Sequence, residues 1–346
     1  MDFSKQLILW YLQNKRDLPW RKDTNPYQIW LSEIILQQTR ISQGIPYYFK
    51  FIRKYPTIFD LASAEEDEVL KLWQGLGYYS RGRNLHHTAR YITTHFNGIF
   101  PNDFKTLKKL RGIGDYTASA ISSICFNQAH AAVDGNVQRV LARFFNINTP
   151  VNSTKGIKYF KELAQELIDP AQPGTYNQAV MELGALICTP KNPQCTVCPL
   201  QEACKALKHK TIEIIPVKEK KIRRRKRFFN FLVFNINNSS TLLVKRTEKD
   251  IWQNLFQFPL IETKNEAGLK DIVQSDLLNN LIGTNEITVE QQNFKPLVHK
   301  LTHQDIQIQF WVIKTQTTLK NAIKWKNVIN FAVPTPIDNF IKSYQK

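Results

Sequence analysis

The chain has 346 residues, and 47 lysines and arginines against 29 aspartates and glutamates give it a formal net charge of +18. This length allows two domains with a sizeable core, and the positive excess indicates a polyanionic partner, either nucleic acid or an anionic membrane surface. No apolar run approaches the roughly 18 residues of a membrane-spanning helix, and the N-terminal stretch lacks the cleavage site of a signal peptide. We therefore expect a cytoplasmic protein that binds nucleic acid and does not associate with a membrane.

Composition and periodicity divide the chain into three parts. Residues 1–208 are predicted to be helical, because apolar residues recur at spacings of three and four, as in "YQIWLSEIILQQ". Residues 209–227, "HKTIEIIPVKEKKIRRRKR", are basic and lack a sustained apolar face, which predicts a solvated linker. Residues 228–346 contain strand-like segments such as "RFFNFLVFNI" and end in an amphipathic helix, so they are predicted to form an α+β domain.

The first candidate catalytic residue lies on a helix predicted for "NPYQIWLSEIILQQTR". Asn25 and Pro26 are typical of a helix start, as a cap followed by a first-turn proline. Glu33 shares a face of this helix with apolar residues at offsets of three and four. A carboxyl held among apolar side chains has a raised pKa and serves as a general acid near neutral pH. The stretch is equally compatible with a surface glutamate.

The stretch "LRGIGDYTASAI" places two glycines at the entrance of a predicted helix. Gly112 and Gly114 permit positive φ and let another group approach the main chain closely. Free amides at a helix N-terminus suit an anion such as phosphate. A G-x-G pattern by itself is also typical of an ordinary tight turn.

A second carboxyl stands before the helix predicted for "GNVQRVLARFF". Asp134 is at the N-cap position, where the most frequent role of an aspartate is only to cap the helix. The positive end of the helix should also keep this carboxylate ionised, with a depressed pKa. One carboxyl with a raised pKa and one with a depressed pKa form the pair that cleaves glycosidic bonds through an oxocarbenium-like state.

Four of the five cysteines fall within "CTPKNPQCTVCPLQEAC", and they are Cys188, Cys195, Cys198 and Cys204. In a cytoplasmic chain such a cluster predicts metal ligands rather than disulfides. The spacing C-x6-C-x2-C-x5-C has one C-x2-C knuckle, whereas most zinc ribbons pair two. Four thiolates also suit a [4Fe–4S] cluster.

Taken together, these motifs resemble the helix-hairpin-helix DNA glycosylase superfamily with an iron–sulfur cluster. The segments "WLSEIILQQTR", "GLGYYSRGRNL" and "NQAVMELGALICTP" are similar to those of its adenine DNA glycosylases. The resemblance implies an all-α helix-hairpin-helix domain with a [4Fe–4S] loop at 188–204, followed by a Nudix-like domain. It also implies a monomeric repair enzyme that acts at the nucleoid on double-stranded DNA. The enzyme would remove adenine mispaired with 8-oxoguanine or guanine and leave an abasic site.

The resemblance assigns roles to individual residues. Glu33 matches the acid that protonates adenine. Asp134 matches the carboxylate that stabilises the cationic sugar, and Asn136 matches a residue that helps to position these two carboxyls. Four further residues match DNA and adenine contacts. Gln38 and Tyr78 match side chains that wedge into the duplex once adenine is flipped out, and Trp20 and Arg21 match part of the adenine pocket.

Tyr116 distinguishes this chain from the endonuclease III type of the same superfamily. The corresponding position there carries a lysine that forms a Schiff base and cuts the strand, which a tyrosine cannot do. A monofunctional glycosylase is therefore implied. Gly112 and Gly114 match the hairpin that grips a DNA phosphate, although Arg111 stands where the family usually has proline.

In the C-terminal part, "KNEAGLKDIVQSDLLNNLIG" lacks the paired glutamates that would hold magnesium in a Nudix hydrolase. We therefore interpret this part as a recognition domain. The family's Phe-Ser-His turn, which contacts 8-oxoguanine, corresponds to Leu301, Thr302 and His303, where the hydroxyl is kept and the aromatic ring is lost.

Three other functions stay open at the level of sequence. The first is an endonuclease III-like glycosylase and lyase for oxidised pyrimidines, which Tyr116 and the second domain disfavour. The second is a non-catalytic DNA-binding protein, in which Glu33 and Asp134 would be replaceable. The third is a Nudix pyrophosphatase with a basic helical extension, which the missing glutamates disfavour.

Overall fold

The computed structural model describes residues 2–219, 224–293 and 295–344, so part of the basic run lies outside the described residues. The described residues form α-helices at α1 Phe3–Asn14, α2 Pro26–Leu36, α3 Ile41–Lys54, α4 Ile58–Ser63, α5 Glu66–Trp73, α6 Ser80–Phe96, α7 Phe104–Lys109, α8 Asp115–Phe126, α9 Gly135–Phe145, α10 Thr154–Leu167, α11 Pro173–Leu186, α12 Lys205–Lys208, α13 Leu269–Val273, α14 Asp276–Ile282 and α15 Thr335–Tyr344. The strands are β1 Arg225–Ile236, β2 Ser240–Thr241, β3 Val244–Lys245, β4 Phe256–Gln257, β5 Leu260–Thr263, β6 Thr288–Gln291, β7 Leu297–Lys300, β8 Gln304–Thr315 and β9 Ile323–Lys324.

The first of two compact units, unit 1, comprises residues 2–63 and 84–219. Its described residues form helices and short turns, which confirms the helical prediction for this part of the chain. A hydrophobic core lies among α1, α9, α10 and α11, where Leu7, Leu141, Phe160 and Ala179 are fully buried. These helices hold the segments that carry the candidate site.

Local sequence signals fix the helix ends that matter for the site. The Asn25 side chain accepts hydrogen bonds from the amides of Tyr27 and Gln28 at 3.0 and 3.3 Å, so α2 begins where the Asn-Pro pair predicted it. Asp134 caps α9 in the same way. Both candidate carboxyls are thus held by capped helices, which restricts where they point.

The segment predicted to be a solvated linker is partly packed. Ile215 is 1% exposed, and its carbonyl accepts a hydrogen bond from Nε of Arg143 at 2.9 Å. Arg227, at the other end of the run, lies within β1 and forms ion pairs with Asp250 and Glu262, both at 2.7 Å. The prediction of a solvated linker is wrong for Ile215 and Arg227, because a basic run read from sequence does not show the carbonyls and carboxylates that lie around it. Residues 220–223 of the run lie outside the described residues.

Unit 2 comprises residues 64–83 and 224–344, and its centre is a seven-stranded mixed sheet. Its longest strands, β1 and β8, run parallel in register from Arg225 opposite Gln304 to Ile236 opposite Thr315. β5 pairs antiparallel with β1, and β6 and β7 pair antiparallel with β8. β3 and β4 form a separate two-stranded sheet. The α+β class predicted for this part is confirmed.

Residues 64–83 belong to unit 2 although they precede most of unit 1 in the chain. Nζ of Lys71 donates to the carbonyl of Phe331 at 3.0 Å, and Nε2 of Gln74 donates to Asp338 at 2.9 Å. The domain boundaries at 208 and 228 that we inferred from composition do not account for the grouping of residues 64–83 with the C-terminal part.

C-terminal helix α15 carries its apolar residues on one face, as the sequence predicted. Ile337 and Ile341 are buried, and the ring of Phe340 stacks on Phe310 of β8 with centroids 4.1 Å apart. None of the helices in the described ranges combines the length and the apolar character needed to cross a membrane.

Candidate active site

A cavity of about 910 Å³ opens among α2, α8, α9 and α11 of unit 1. Its lining includes eight of the residues singled out from the sequence, namely Trp20, Arg21, Glu33, Gln38, Gly114, Tyr116, Asp134 and Asn136. These residues come from four separate segments of the chain. The fold therefore gathers the predicted acid, carboxylate and adenine pocket into one cavity.

Glu33 projects from α2 into this cavity. Burial raises the pKa of the Glu33 carboxyl from its ordinary value of 4.5 to about 7, and the charge of Asp134 acts in the same direction. A hydrogen-bonding interaction with Tyr116 and the positive charge of Arg21 oppose this rise. Glu33 is thus held protonated in a substantial fraction of molecules at neutral pH, which is what a general acid requires.

Tyr116 is the first large side chain of α8 and faces Glu33. Its hydroxyl donates to Sδ of Met181 on α11 at 3.1 Å. Burial and the nearby Glu33 carboxyl raise the pKa of Tyr116 well above its ordinary value, so the phenol stays neutral. Tyr116 can donate and accept hydrogen bonds here, but it offers no amine.

Asp134 is fixed by three hydrogen bonds. Its Oδ1 accepts from the backbone amides of Asn136 and Val137 at 2.9 and 2.8 Å, and its Oδ2 accepts from Nδ2 of Asn136 at 2.7 Å. These bonds hold the carboxylate in one orientation at the positive end of α9.

The prediction that the pKa of Asp134 is lowered is wrong. Burial raises the pKa of Asp134 above its ordinary value, and the hydrogen bonds from Val137 and Asn136 only partly offset this effect. Burial is thus the largest influence on the pKa of both carboxyls, and each has hydrogen-bonding interactions that act against it.

Asn136 is itself held by a buried arginine. Nη2 of Arg139 donates to Oδ1 of Asn136 at 2.9 Å and to the carbonyl of Gly184 at 2.7 Å, while its Nε donates to the carbonyl of Cys188 at 2.7 Å. Because its Oδ1 is occupied, Asn136 presents its amide nitrogen to Asp134. The position of Asn136 beside the carboxylate, inferred from sequence, is thereby explained.

A second glutamate of the cavity was not singled out from the sequence. Glu182 on α11 is 1% exposed and binds two arginines, with Arg16 Nη2 at 2.7 Å and Arg21 Nη2 at 2.9 Å from its Oε2. Despite its burial, these hydrogen bonds lower the pKa of Glu182 to about 2. Glu182 fixes Arg21, which lines the cavity. The only sequence signal was an acidic residue within the apolar stretch "AVMELGAL".

Trp20 lies in a short 3-10 helix, Pro19–Arg21, and is 6% exposed. Its ring packs edge-on against Tyr48 at 5.3 Å between centroids and also lines the cavity. Trp20 is therefore both part of the packed core and part of the cavity wall.

The two hairpin glycines differ in conformation. Gly112 has a φ of 82°, in the left-handed region, and a Cβ there would lie 2.8 Å from Cβ of Asn84. Gly114 has a φ of −90°, so only Gly112 of the pair uses the positive φ that glycine permits. A Cβ at Gly114 would meet nothing within 4 Å, which leaves the start of α8 open.

The proposed duplex-wedging residues share an uncommon backbone conformation. Gln38, at the end of α2 in unit 1, has a φ of 54°, and Tyr78 in unit 2 has a φ of 46°. Positive φ at bulky residues is costly and concentrates at functional sites. In unit 2, Thr302 and His303 lie in the turn between β7 and β8, and the Tyr78 and Thr302 hydroxyl oxygens are 2.5 Å apart.

Four cysteines, Cys188, Cys195, Cys198 and Cys204, line one small apolar cavity beneath α9 and α11. Nη1 of Arg143 points at Sγ of Cys188 at 3.5 Å. Within the part of the chain that the structure describes, no three metal-ligating side chains are arranged around a single ion. A polynuclear cluster keeps its sulfur ligands farther apart than one zinc ion does, because several metal atoms lie between them. The four thiols around one cavity therefore fit a four-thiolate cluster.

Two family profiles match the chain. The profile for "HhH-GPD superfamily base excision DNA repair protein" matches residues 31–170, and that for "NUDIX domain" matches residues 231–343. An adenine DNA glycosylase of Buchnera aphidicola subsp. Baizongia pistaciae is 37% identical over 99% of this chain and 97% of its own. The chain belongs to the adenine DNA glycosylase family. It is a DNA glycosylase of base excision repair, and its partner is DNA.

Other relatives agree with this family. An adenine DNA glycosylase of Rattus norvegicus is 48% identical over 59% of this chain and 41% of its own. Among solved structures, a thermostable thymine-DNA glycosylase matches 60% of this chain and 95% of its own with a TM-score of 0.55 and 29% identity. A non-covalent endonuclease III–DNA complex, at 21% identity and a TM-score of 0.52, shares the fold over 60% of this chain and 94% of its own.

Proposed function

We propose that the protein hydrolyses the N-glycosidic bond of adenine mispaired with 8-oxoguanine or guanine. The observation that carries this proposal is the pair of carboxyls in one cavity, of which Glu33 has a pKa near 7 and Asp134 is held by three hydrogen bonds. An acid and a fixed carboxylate are what cleavage through a cationic sugar requires.

The reaction uses each carboxyl once. Adenine is flipped out of the duplex into the cavity, since its reacting atoms are hidden within the stack. The Glu33 proton moves to the imidazole ring of adenine, and the electron pair of the glycosidic bond leaves with the base. Asp134 stabilises the resulting positive charge at C1′ through a transient covalent bond from a carboxylate oxygen. Water then attacks C1′, the bond between C1′ and the Asp134 oxygen breaks with its electron pair returning to the carboxylate, and the water gives a proton to Glu33, which leaves an abasic site.

Tyr116 makes the enzyme monofunctional. Strand cleavage of the endonuclease III type needs an amine that attacks C1′ and forms a Schiff base. The phenol of Tyr116 beside Glu33 cannot form one. Borohydride should therefore trap no covalent adduct between this protein and its DNA substrate.

Recognition is divided between the two units. The hairpin at Gly112 and Gly114 grips a DNA phosphate, and Gln38 inserts into the duplex from unit 1. Tyr78, Thr302 and His303 contact the oxidised base and its surroundings from unit 2. The net charge of +18 supports this role, since phosphate contacts dominate the affinity of DNA-binding proteins. We assign this role to the Nudix-like part because it lacks paired metal-binding glutamates in its acidic segment.

Cys188, Cys195, Cys198 and Cys204 would hold a [4Fe–4S] cluster, since all four line one apolar cavity. Bound there, the cluster would cross-link the loop through metal–thiolate bonds. Purified protein should be yellow-brown and contain about four irons, as the four-cysteine ligation predicts. Stoichiometric zinc without iron would exclude the cluster.

Single-turnover excision on defined duplexes tests the proposal. Duplexes with adenine opposite 8-oxoguanine, guanine or thymine are incubated with the protein and then cleaved with alkali. We expect cleavage at adenine in the first two and little in the third. Equal cleavage of all three, or cleavage at an oxidised pyrimidine instead, would contradict the proposed substrate.

A further inference from the structure

Met181 on α11 is, besides Met1, the other methionine of the chain. Its Sδ accepts the hydrogen bond of the Tyr116 hydroxyl at 3.1 Å, and both residues line the cavity that holds Glu33. A thioether sulfur is a weak acceptor. A phenol that donates to sulfur beside a carboxyl group therefore needs an explanation from the chemistry of the cavity.

Helix α11 holds Met181 in place from both sides. Asn177 and Gly184 share its face of the helix, at offsets of four and three residues. Nδ2 of Asn177 donates to Oγ of Ser123 on α8 at 2.9 Å. A Cβ at Gly184 would lie 2.7 Å from Cβ of Asn136, so α11 packs directly against the start of α9. The position of the sulfur is thus fixed relative to α8 and α9.

The Tyr116 hydroxyl has one proton and two acceptors within reach. The phenol stays neutral, and Glu33 is close enough for a hydrogen-bonding interaction that lowers the Glu33 pKa. While the phenol proton points at Met181, the hydroxyl oxygen keeps its lone pairs for a protonated Glu33 carboxyl. When the proton turns to Glu33, it stabilises the ionised carboxylate. The direction of one O–H bond therefore follows the charge of Glu33.

Other charges around Glu33 do not respond in this way. The charged groups that line the cavity with Glu33 are Arg16, Arg21, Asp23, Asp115, Asp134 and Glu182. Glu182 remains an anion, since its pKa is lowered to about 2, and the nearby Cys125 thiol remains neutral, since burial raises its pKa to about 12. The Tyr116 hydroxyl differs from these groups, because it adapts to Glu33 by rotation and without a change of charge.

We propose that Met181 is a positioning residue whose sulfur holds the Tyr116 proton while Glu33 is protonated and releases it to the Glu33 carboxylate once the Glu33 proton has moved to the base. The Tyr116 proton stays bonded to its own oxygen throughout, and only its acceptor changes. Because the sulfur is a weak acceptor, this exchange costs little and favours the state that forms during the reaction. The inference rests on the proposed function and deepens it.

Titration of the Glu33 carboxyl in the free protein tests the inference. The infrared absorbance of the protonated carboxyl is followed as pH rises, and the signal of Glu33→Gln is subtracted so that other carboxyls cancel. Met181→Leu keeps the volume of the side chain but removes the acceptor. The Tyr116 proton should then turn to Glu33 and lower the titration midpoint by about 0.3 to 1 pH unit, the value of one redirected hydrogen bond.

A double-mutant cycle separates this effect from packing. Tyr116→Phe removes the hydroxyl and should raise the midpoint, and Met181→Leu should have no further effect in that background. Ile29→Leu is the matched control, because it repacks the same cavity without removing an acceptor and should leave the midpoint in place. An unchanged midpoint in Met181→Leu, or a shift of equal size with and without the Tyr116 hydroxyl, would overturn the inference.

Two further measurements keep the outcome interpretable. Folding is monitored by circular dichroism, and Met181→Ile gives a second test if Met181→Leu fails to fold. The pH profile of adenine excision by Met181→Leu should move to lower pH by the same amount, whereas a loss of packing alone would slow excision equally at every pH. Since the titration needs no DNA, a failure to excise adenine would overturn the proposed reaction and leave this result distinct.

Discussion

Helices α2 and α11 form two walls of one cavity, and each contributes a glutamate with the opposite electrostatic character. Glu33 on α2 has its pKa raised to about 7 by burial. Glu182 on α11 has its pKa lowered to about 2, although it is only 1% exposed. Glu182 pairs with Arg16 and Arg21, which lie between α1 and α2 in the chain, whereas the charge of Arg21 is the last of the influences on the Glu33 pKa.

The comparison shows that hydrogen-bond donors around a buried carboxyl can outweigh the effect of burial on its pKa. Glu182 accepts five hydrogen bonds from the two arginines and is a permanent anion that fixes the pocket. For Glu33 the interactions with Tyr116 and Arg21 do not offset burial, and its pKa is raised to about 7. One residue type therefore gives a structural anion and a candidate acid in the same cavity.

Of the two glutamate-to-glutamine variants, Glu33→Gln should reduce catalysis more than Glu182→Gln. Glu33→Gln keeps the shape of the side chain but has no proton to donate, so single-turnover adenine excision should fall by about 100- to 10,000-fold. DNA affinity, measured by fluorescence anisotropy, should change little. Near wild-type excision by Glu33→Gln would remove the acid assignment.

The stability of the same two variants should change in opposite directions. In the folded protein the Glu33 pKa is above its ordinary 4.5, so ionisation destabilises the fold as pH rises from about 4.5 to about 7. At pH 8, Glu33→Gln should therefore raise the free energy of unfolding by up to about 3 kcal/mol. Glu182→Gln should lower it by about 3 kcal/mol, because the pair with two arginines is broken.

Urea unfolding at several pH values measures both differences. The gain of Glu33→Gln should disappear below about pH 4.5, where the wild-type carboxyl is protonated in both states. The loss of Glu182→Gln should shrink as pH falls from about 4.5 to about 2, where the wild-type carboxylate becomes protonated too. If both variants lost stability equally at pH 8, the contrast between the two walls would be wrong.

Local features of this site were predictable from sequence. Asn25 and Pro26 set the start of α2, and the spacing along that helix indicated that Glu33 faces apolar neighbours. Asp134 was predictable as a cap, because its position before an apolar-periodic helix is a local pattern. The four cysteines were recognisable from spacing alone. Each of these inferences depends on residues within a few turns of one another.

Features that depend on distant residues were not predictable. Glu182 meets Arg16 across 166 positions in the sequence, and nothing near Glu182 indicates that pair. The Asp134 pKa was predicted in the wrong direction because its capping bonds are local whereas its burial is produced by the whole cavity. The association of residues 64–83 with the C-terminal sheet depends on similarly long-range contacts.

The pH dependence of excision should follow Glu33 and not Glu182. The acid must be protonated, so kcat/KM should fall about tenfold per pH unit above the Glu33 pKa near 7. The pKa of Glu182 is lowered to about 2, so its ionisation should not affect kcat/KM between pH 6 and 9. A profile that stayed flat from pH 6 to 9 would show that proton donation by Glu33 does not limit the reaction.

The smallest effect should come from Arg21, which is the link between the two walls. Its guanidinium binds Glu182 at 2.9 Å, and its charge is the last and weakest of the influences that lower the Glu33 pKa. Arg21→Met removes this charge, so the alkaline limb of the pH profile should move to slightly higher pH. Arg21→Lys is the matched control, since it keeps the charge and loses the fork geometry. It should weaken the bond to Glu182 and leave the midpoint in place. A midpoint that moved equally in both variants would mean that the geometry of the pocket, and not the charge of Arg21, sets the Glu33 proton affinity.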